Sequence, residues 1–148
     1  MAKNIYYLFL ALGIFNSLTT SVIAVETVTI SLFATDLNKC DDLSKCDAYV
    51  EILCVTSLSD GRECGKTKYI KNDNFPVWPE EFTFTNTSTE IFRRWQLKVL
   101  DHDDFFDDHI ATVIVPFADF IAGTETQRHY KLDLGGRGSL YVTRVRSS

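Results

Sequence analysis

Val28, Ile30, Leu32 and Ala34 alternate with Thr29, Ser31 and Phe33, and this period of two returns at short intervals along the chain. In an extended strand every second side chain faces the same way, so such a segment buries a clean apolar face as a strand and not as a helix. Further β-rich runs fall at residues 49–55, 66–71, 82–85, 95–99, 112–115, 129–134 and 140–145, with 66–71 expected as the hairpin partner of 49–55 after the Asp60-Gly61 turn. In one of them Trp95, Leu97 and Val99 form an inward face against Gln96 and Lys98. Turn residues separate the runs at the spacing of an all-β sandwich. Only residues 117–122, just before Gly123, read as a helical turn. The expectation is one domain with eight strands, and with Trp78 and Trp95 in its core.

The first 24 residues stand apart from this pattern. Lys3 precedes an apolar run at residues 5–15, and Val22-Ile23-Ala24 offers a cleavage site. That order is the order of a secretory signal peptide cut after Ala24. The apolar run is shorter than the roughly 20 residues a spanning helix needs. The expected domains are therefore a signal peptide at 1–24 and a single domain at 25–148, secreted and extracellular. Loss of Lys3 with the leader takes the formal charge from −5 to −6. A basic face for nucleic-acid phosphates is not expected at that balance.

All four cysteines lie beyond the leader, and an even number in a secreted chain implies disulfides. Three connectivities are open. Local pairing is favoured, because Cys54 and Cys64 flank Ser59-Asp60-Gly61, a turn signal, while Cys40 and Cys46 bracket one loop. Asn86-Thr87-Ser88 is an N-glycosylation sequon.

Acidic residues supply the chemistry. Five of the eight residues from 101 to 108 are Asp, and a second cluster lies between Asp36 and Asp47. Carboxylates crowded this closely repel one another. A hard cation relieves that repulsion, and calcium takes about six to eight oxygen ligands. Phe105 and Phe106 inside the 101–108 cluster are out of place in a loop that needs only to be soluble. Acid and aromatic together point to a calcium-dependent contact with an apolar surface, most simply a membrane.

At residues 25–145 the order of motifs resembles the C2 domain, a calcium- and lipid-binding β-sandwich, with small secreted, perforin-type members nearest in look. The resemblance is carried by residues 28–37, by Asp47-Ala48-Tyr49-Val50, and by Lys66-Thr67-Lys68. Pro76-Val77-Trp78, Phe82-Thr83-Phe84 and Leu97-Lys98-Val99-Leu100-Asp101-His102-Asp103 continue it. It implies an eight-stranded antiparallel sandwich in the type II permutation, because the chain opens at the strand leading into the first acidic loop. It also implies two to three calcium ions held by Asp41, Asp47, Asp101, Asp103 and Asp108, with Asp107 or His109 as alternates to the last. Phe105, Phe106 and Phe75 would enter the membrane, and Lys66 and Lys68 would meet anionic headgroups. The sequence departs from the family pattern at His109, Phe75 and Ala48, which leaves the fifth carboxylate open.

The function expected is a secreted, monomeric, calcium-dependent phospholipid-binding module. The alternative is a calcium-stabilised extracellular domain that binds a protein partner. A metal-dependent lipid hydrolase ranks below both, since Asp101-His102-Asp103 and Asp107-Asp108-His109 lack any separate nucleophile, base or oxyanion hole.

Overall fold

A computed structural model describes residues 27–38, 40, 45–87, 89–118 and 129–145 of the chain. Eight strands form in order: β1 (Thr27–Thr35), β2 (Ala48–Thr56), β3 (Asp60–Lys66), β4 (Val77–Thr85), β5 (Phe92–Asp101), β6 (Asp108–Pro116), β7 (His129–Asp133) and β8 (Ser139–Val145). They make two four-stranded sheets, ordered β4-β1-β8-β7 and β3-β2-β5-β6, with antiparallel pairing throughout. This is the expected antiparallel β-sandwich.

The alternation in the sequence sets which residues meet between the sheets. Val28, Ile30, Leu32 and Ala34 of β1 are buried, as are Leu140 and Val142 of β8 beside them. From the other sheet Ile52, Trp95, Leu97, Val99 and Val115 close the core, and Phe117 packs with Trp95 and Phe92. Each fully buried large apolar side chain contributes on the order of 1.5–3 kcal/mol. Trp78 and Trp95 are both core residues. Trp78 also ties the sheets together, because its Nε1–H donates to the Ala48 carbonyl at 3.2 Å.

Two expectations about strand placement need correction. The partner of β2 is not residues 66–71 but β3, Asp60–Lys66, so residues 67–76 form a loop. The turn itself is Ser57-Leu58-Ser59, closed by Thr56, whose Oγ1 accepts the amides of Leu58 and Ser59. Of the expected helical turn at 117–122, Phe117 and Ala118 are described and helical, and the remainder lies outside the described residues. Both local disulfides are formed, Cys40–Cys46 and Cys54–Cys64, with Cα separations of 5.2 and 5.8 Å.

The register fixes which loops share an end. Thr29 pairs with Val145 and Thr35 with Ser139, so the start of β1 and the end of β8 lie together, away from Asp36. That is the relation expected of the type II permutation. At the Asp36 end four connections meet the sheets: the one that leaves β1 after Thr35 and enters β2 at Ala48, and residues 67–76, 102–107 and 134–138.

Candidate metal and membrane site

Asp47 sits at the meeting point of three of these connections. Its amide donates to Asp101 Oδ1 at 2.5 Å, and its carbonyl accepts the His102 amide at 3.1 Å. Its own Oδ1 accepts the Asn72 amide at 2.6 Å. Next to it the Cys46 amide donates to Asn74 Oδ1 at 3.1 Å, and the Cys46 carbonyl accepts the Asp73 amide at 2.9 Å. Cys46 is thus buried and pinned on both sides, and the disulfide ties Cys40 to this fixed point. The first acidic loop is clamped where it enters β2.

Asp101 closes β5 and is 1 % exposed, while Asp108 opens β6 directly across from it. Asp47 and Asp101, 54 residues apart in sequence, are therefore in contact. Asp103 is half-buried beyond them, and Asp108 and His109 are exposed. His109 Nε2 lies 2.7 Å from Thr112 Oγ1. Asp41 lies outside the described residues. Among the described residues no three acidic, His or Cys side chains are drawn close enough together to form a ready metal cage. The donor set still fits a hard cation in kind and place. It consists of carboxylate oxygens at one end of the sandwich, and two loops carrying them are in direct contact.

Asp107 behaves differently from its neighbours. Its Oδ2 accepts the Tyr49 hydroxyl at 2.5 Å, and its Oδ1 lies 3.0 Å from His102 Nδ1 and 3.2 Å from the Asp103 amide. The Tyr49 hydrogen bond, helped by the Asp103 amide and His102, holds this carboxyl below the usual carboxylate range despite some desolvation. In the same contact burial, followed by the bond to Asp107, pushes the Tyr49 phenol well above its ordinary value of 10.0.

The aromatic residues stand clear of the fold. Phe105 is 91 % and Phe106 86 % exposed at the tip of the 102–107 loop, and Phe75 is 57 % exposed on the 67–76 loop. Val77 and Tyr69 add exposed apolar surface at the same end. Lys66 is exposed and paired within the chain, with its Nζ 3.1 Å from Glu51 Oε1 and 4.4 Å from the Tyr49 ring centroid. The side chain of Lys68 is exposed, and its amide donates to Glu80 Oε1 at 3.1 Å. Asn86 lies at the opposite end, its Oδ1 accepting the Phe92 amide at 2.8 Å.

Several residues of this end carry no motif that the sequence reading picked out. Arg137 donates from one Nη1 to the carbonyls of His109 and Ile110 at 3.1 and 2.8 Å, and its own carbonyl accepts the Asn38 amide. It joins the β7–β8 hairpin to both acidic segments. Asn72 and Asn74 are equally silent as isolated letters, and Tyr49 stood inside the Asp47-Ala48-Tyr49-Val50 run with no role of its own. The position of Tyr49 two residues after Asp47 is the one signal that pointed toward it.

Fold and site together define an antiparallel β-sandwich with an acidic loop end crowned by aromatic residues. The C2 domain family model matches residues 27–132, and the chain belongs to the C2 domain family. It is 31 % identical over 118 residues to Synaptotagmin-4 of Arabidopsis thaliana, covering 80 % of this chain and 20 % of that protein. It therefore spans about a fifth of the length of the curated relatives it matches. An isolated C2 domain structure superposes with a TM-score of 0.58 at 22 % identity, covering 81 % of this chain and 98 % of that one. The calcium-bound C2A and C2B domains of extended synaptotagmin 2 give 0.56 at 18 % identity, covering 80 % of this chain and 45 % of that one.

Proposed function

We propose that this C2 domain is a secreted module that binds phospholipid surfaces in a calcium-dependent way. The observation that carries the reading is the pairing of Phe105 and Phe106, almost fully exposed, with the contact between Asp47 and Asp101 beneath them. Asp41, Asp47, Asp101, Asp103 and Asp108 would hold the metal. Calcium bound there supplies positive charge that offsets the carboxylates and offers positions to lipid oxygens. The chain's own residues do the rest. Phe105, Phe106 and Phe75 enter the apolar layer, each contributing on the order of 1.5–3 kcal/mol when fully buried. Without a cation, a secreted chain of formal charge −6, its leader and Lys3 removed, is repelled by an anionic surface.

Support also comes from a fold neighbour whose two C2 domains were solved with calcium bound. The reading is of a binding module and not an enzyme. A glycan on Asn86 would stand at the end away from the acidic loops, clear of a membrane approached by Phe105. The test is co-sedimentation with phosphatidylcholine–phosphatidylserine vesicles in calcium and in chelator. Binding in calcium is expected to disappear in Asp101→Asn with Asp103→Asn, and equal binding in chelator would sink the reading.

A further inference from the structure

We propose that Tyr49 is the positioning residue of the aromatic tip: its hydroxyl clasps Asp107, closes residues 102–107 into a fixed loop, and withdraws Asp107 from the metal-ligand set. The consequence for lipid binding rests on the membrane reading above, whereas the clasp itself does not.

Tyr49 belongs to β2 and is 4 % exposed, yet its hydroxyl reaches a loop whose tip is in solvent. The two residues are 58 positions apart in sequence. Three donors converge on the one carboxylate: the Tyr49 hydroxyl on Oδ2, and His102 Nδ1 and the Asp103 amide on Oδ1. A carboxylate offers about four lone-pair sites, so little acceptor capacity remains for a cation. A cation ligand has to leave its oxygens free or give up its donors, and here one donor comes from β2 and two from adjacent residues of the loop itself.

The Tyr49 ring is itself held. Lys66 lies over it at 4.4 Å, and Glu51 fixes Lys66 at 3.1 Å. On the other side His102 is covered by the Tyr69 ring at a centroid distance of 4.3 Å. Both ends of the loop are thus secured to packed elements. Phe105 and Phe106 lie between Asp103 and Asp107, whose backbone amide and carboxylate are bonded to each other. Closing the chain across so few residues leaves the two rings outside, which accounts for exposures of 91 % and 86 %. A loop already ordered loses less conformational entropy when it enters a membrane than one that must order on contact. The clasp therefore acts on lipid partition, through the tip, and not on the affinity for the cation.

Three measurements separate this from a plain packing role. Tyr49→Phe keeps the ring and removes the hydroxyl. In calcium-free protein it should speed amide exchange at Asp103 by about tenfold or more, the size of a lost bond to a charged acceptor. Calcium affinity by calorimetry should stay within about threefold, while partition onto calcium-saturated phosphatidylcholine–phosphatidylserine vesicles falls about five- to tenfold. Asp107→Ala should reproduce both effects. Asp107→Asn keeps an oxygen for the Asp103 amide and a side-chain amide that can meet the tyrosine oxygen, and it should restore the protection of Asp103. The proposal is overturned if Asp107→Asn weakens calcium binding by about tenfold, the mark of a lost ligand. It is equally overturned if Tyr49→Phe leaves Asp103 exchange unchanged. If the unsubstituted protein ignores vesicles, the membrane reading fails alone, and the exchange data still decide the clasp.

Discussion

Asp107 and Tyr49 make a prediction about pH that neither residue makes alone. The Asp107 carboxyl is held low in the fold, chiefly by the Tyr49 hydroxyl, so the folded state binds its proton less tightly than the unfolded chain does. Its contribution to stability is present above the ordinary carboxylate value and is lost as the pH falls through the folded one. The Tyr49 phenol is shifted the other way, by burial first, so its contribution is present below about 10 and is lost as the pH climbs through its raised folded value. Tyr49→Phe should therefore melt below the unsubstituted protein between about pH 4 and pH 10, with the gap narrowing on either side. Thermal unfolding followed across that range checks it, and a gap that widens in acid contradicts it. The spacing of the Asp residues made the carboxylate cluster legible in the sequence. It did not say which one is taken up by hydrogen bonds within the fold, because that depends on a tyrosine from a distant strand.

The β7–β8 hairpin shows the same divide at the level of elements. Both strands were legible from alternation, but the role of the hairpin between them was not. Gly138 has φ +112, and a Cβ there would meet the Thr35 carbonyl at 2.6 Å and the Asp36 carbonyl at 2.8 Å. Gly136 also has a positive φ, +78, but open space around it. Gly138→Ala should therefore cost on the order of 2–3 kcal/mol in urea unfolding, and Gly136→Ala about 1 kcal/mol. Equal costs would mean that the close approach to β1 does not matter. The β2–β3 connection was misread for a local reason. Asp60-Gly61 has turn chemistry, yet Gly61, with φ +96, lies within β3, and Thr56 closes the turn two residues earlier. Side-chain capping by a buried threonine overrode the glycine signal. The disulfides divide in a comparable way. Replacing Cys54 and Cys64 together should lower stability by about 2–3 kcal/mol and leave calcium affinity alone. Replacing Cys40 and Cys46 together should lower both, since that bridge ends at the pinned residue beside Asp47.

For the whole molecule the acidic end sets a balance between repulsion and metal. The alternating strands made the sandwich legible because burying apolar faces is a requirement on every strand at once. The meeting of Asp47 with Asp101 is a product of that sandwich, visible only when β2 and β5 are paired from Ala48–Asp101 onward. Any cation bound there stabilises the folded chain by mass action, by about 2.7 kcal/mol at a hundredfold excess over its dissociation constant. Calcium in that excess should accordingly raise the melting temperature by several degrees, given the usual scaling for a domain of this size. Magnesium at the same concentration should do much less, because it demands a tighter octahedron and gives up water reluctantly. Phe105→Ala with Phe106→Ala should leave the calcium shift intact while abolishing vesicle binding, since neither ring bonds the carboxylates and both point to solvent. Loss of the calcium shift in that variant would mean that tip and metal are one unit. An intact shift with lost binding places the metal below and the membrane contact above it, in the order the loops are stacked.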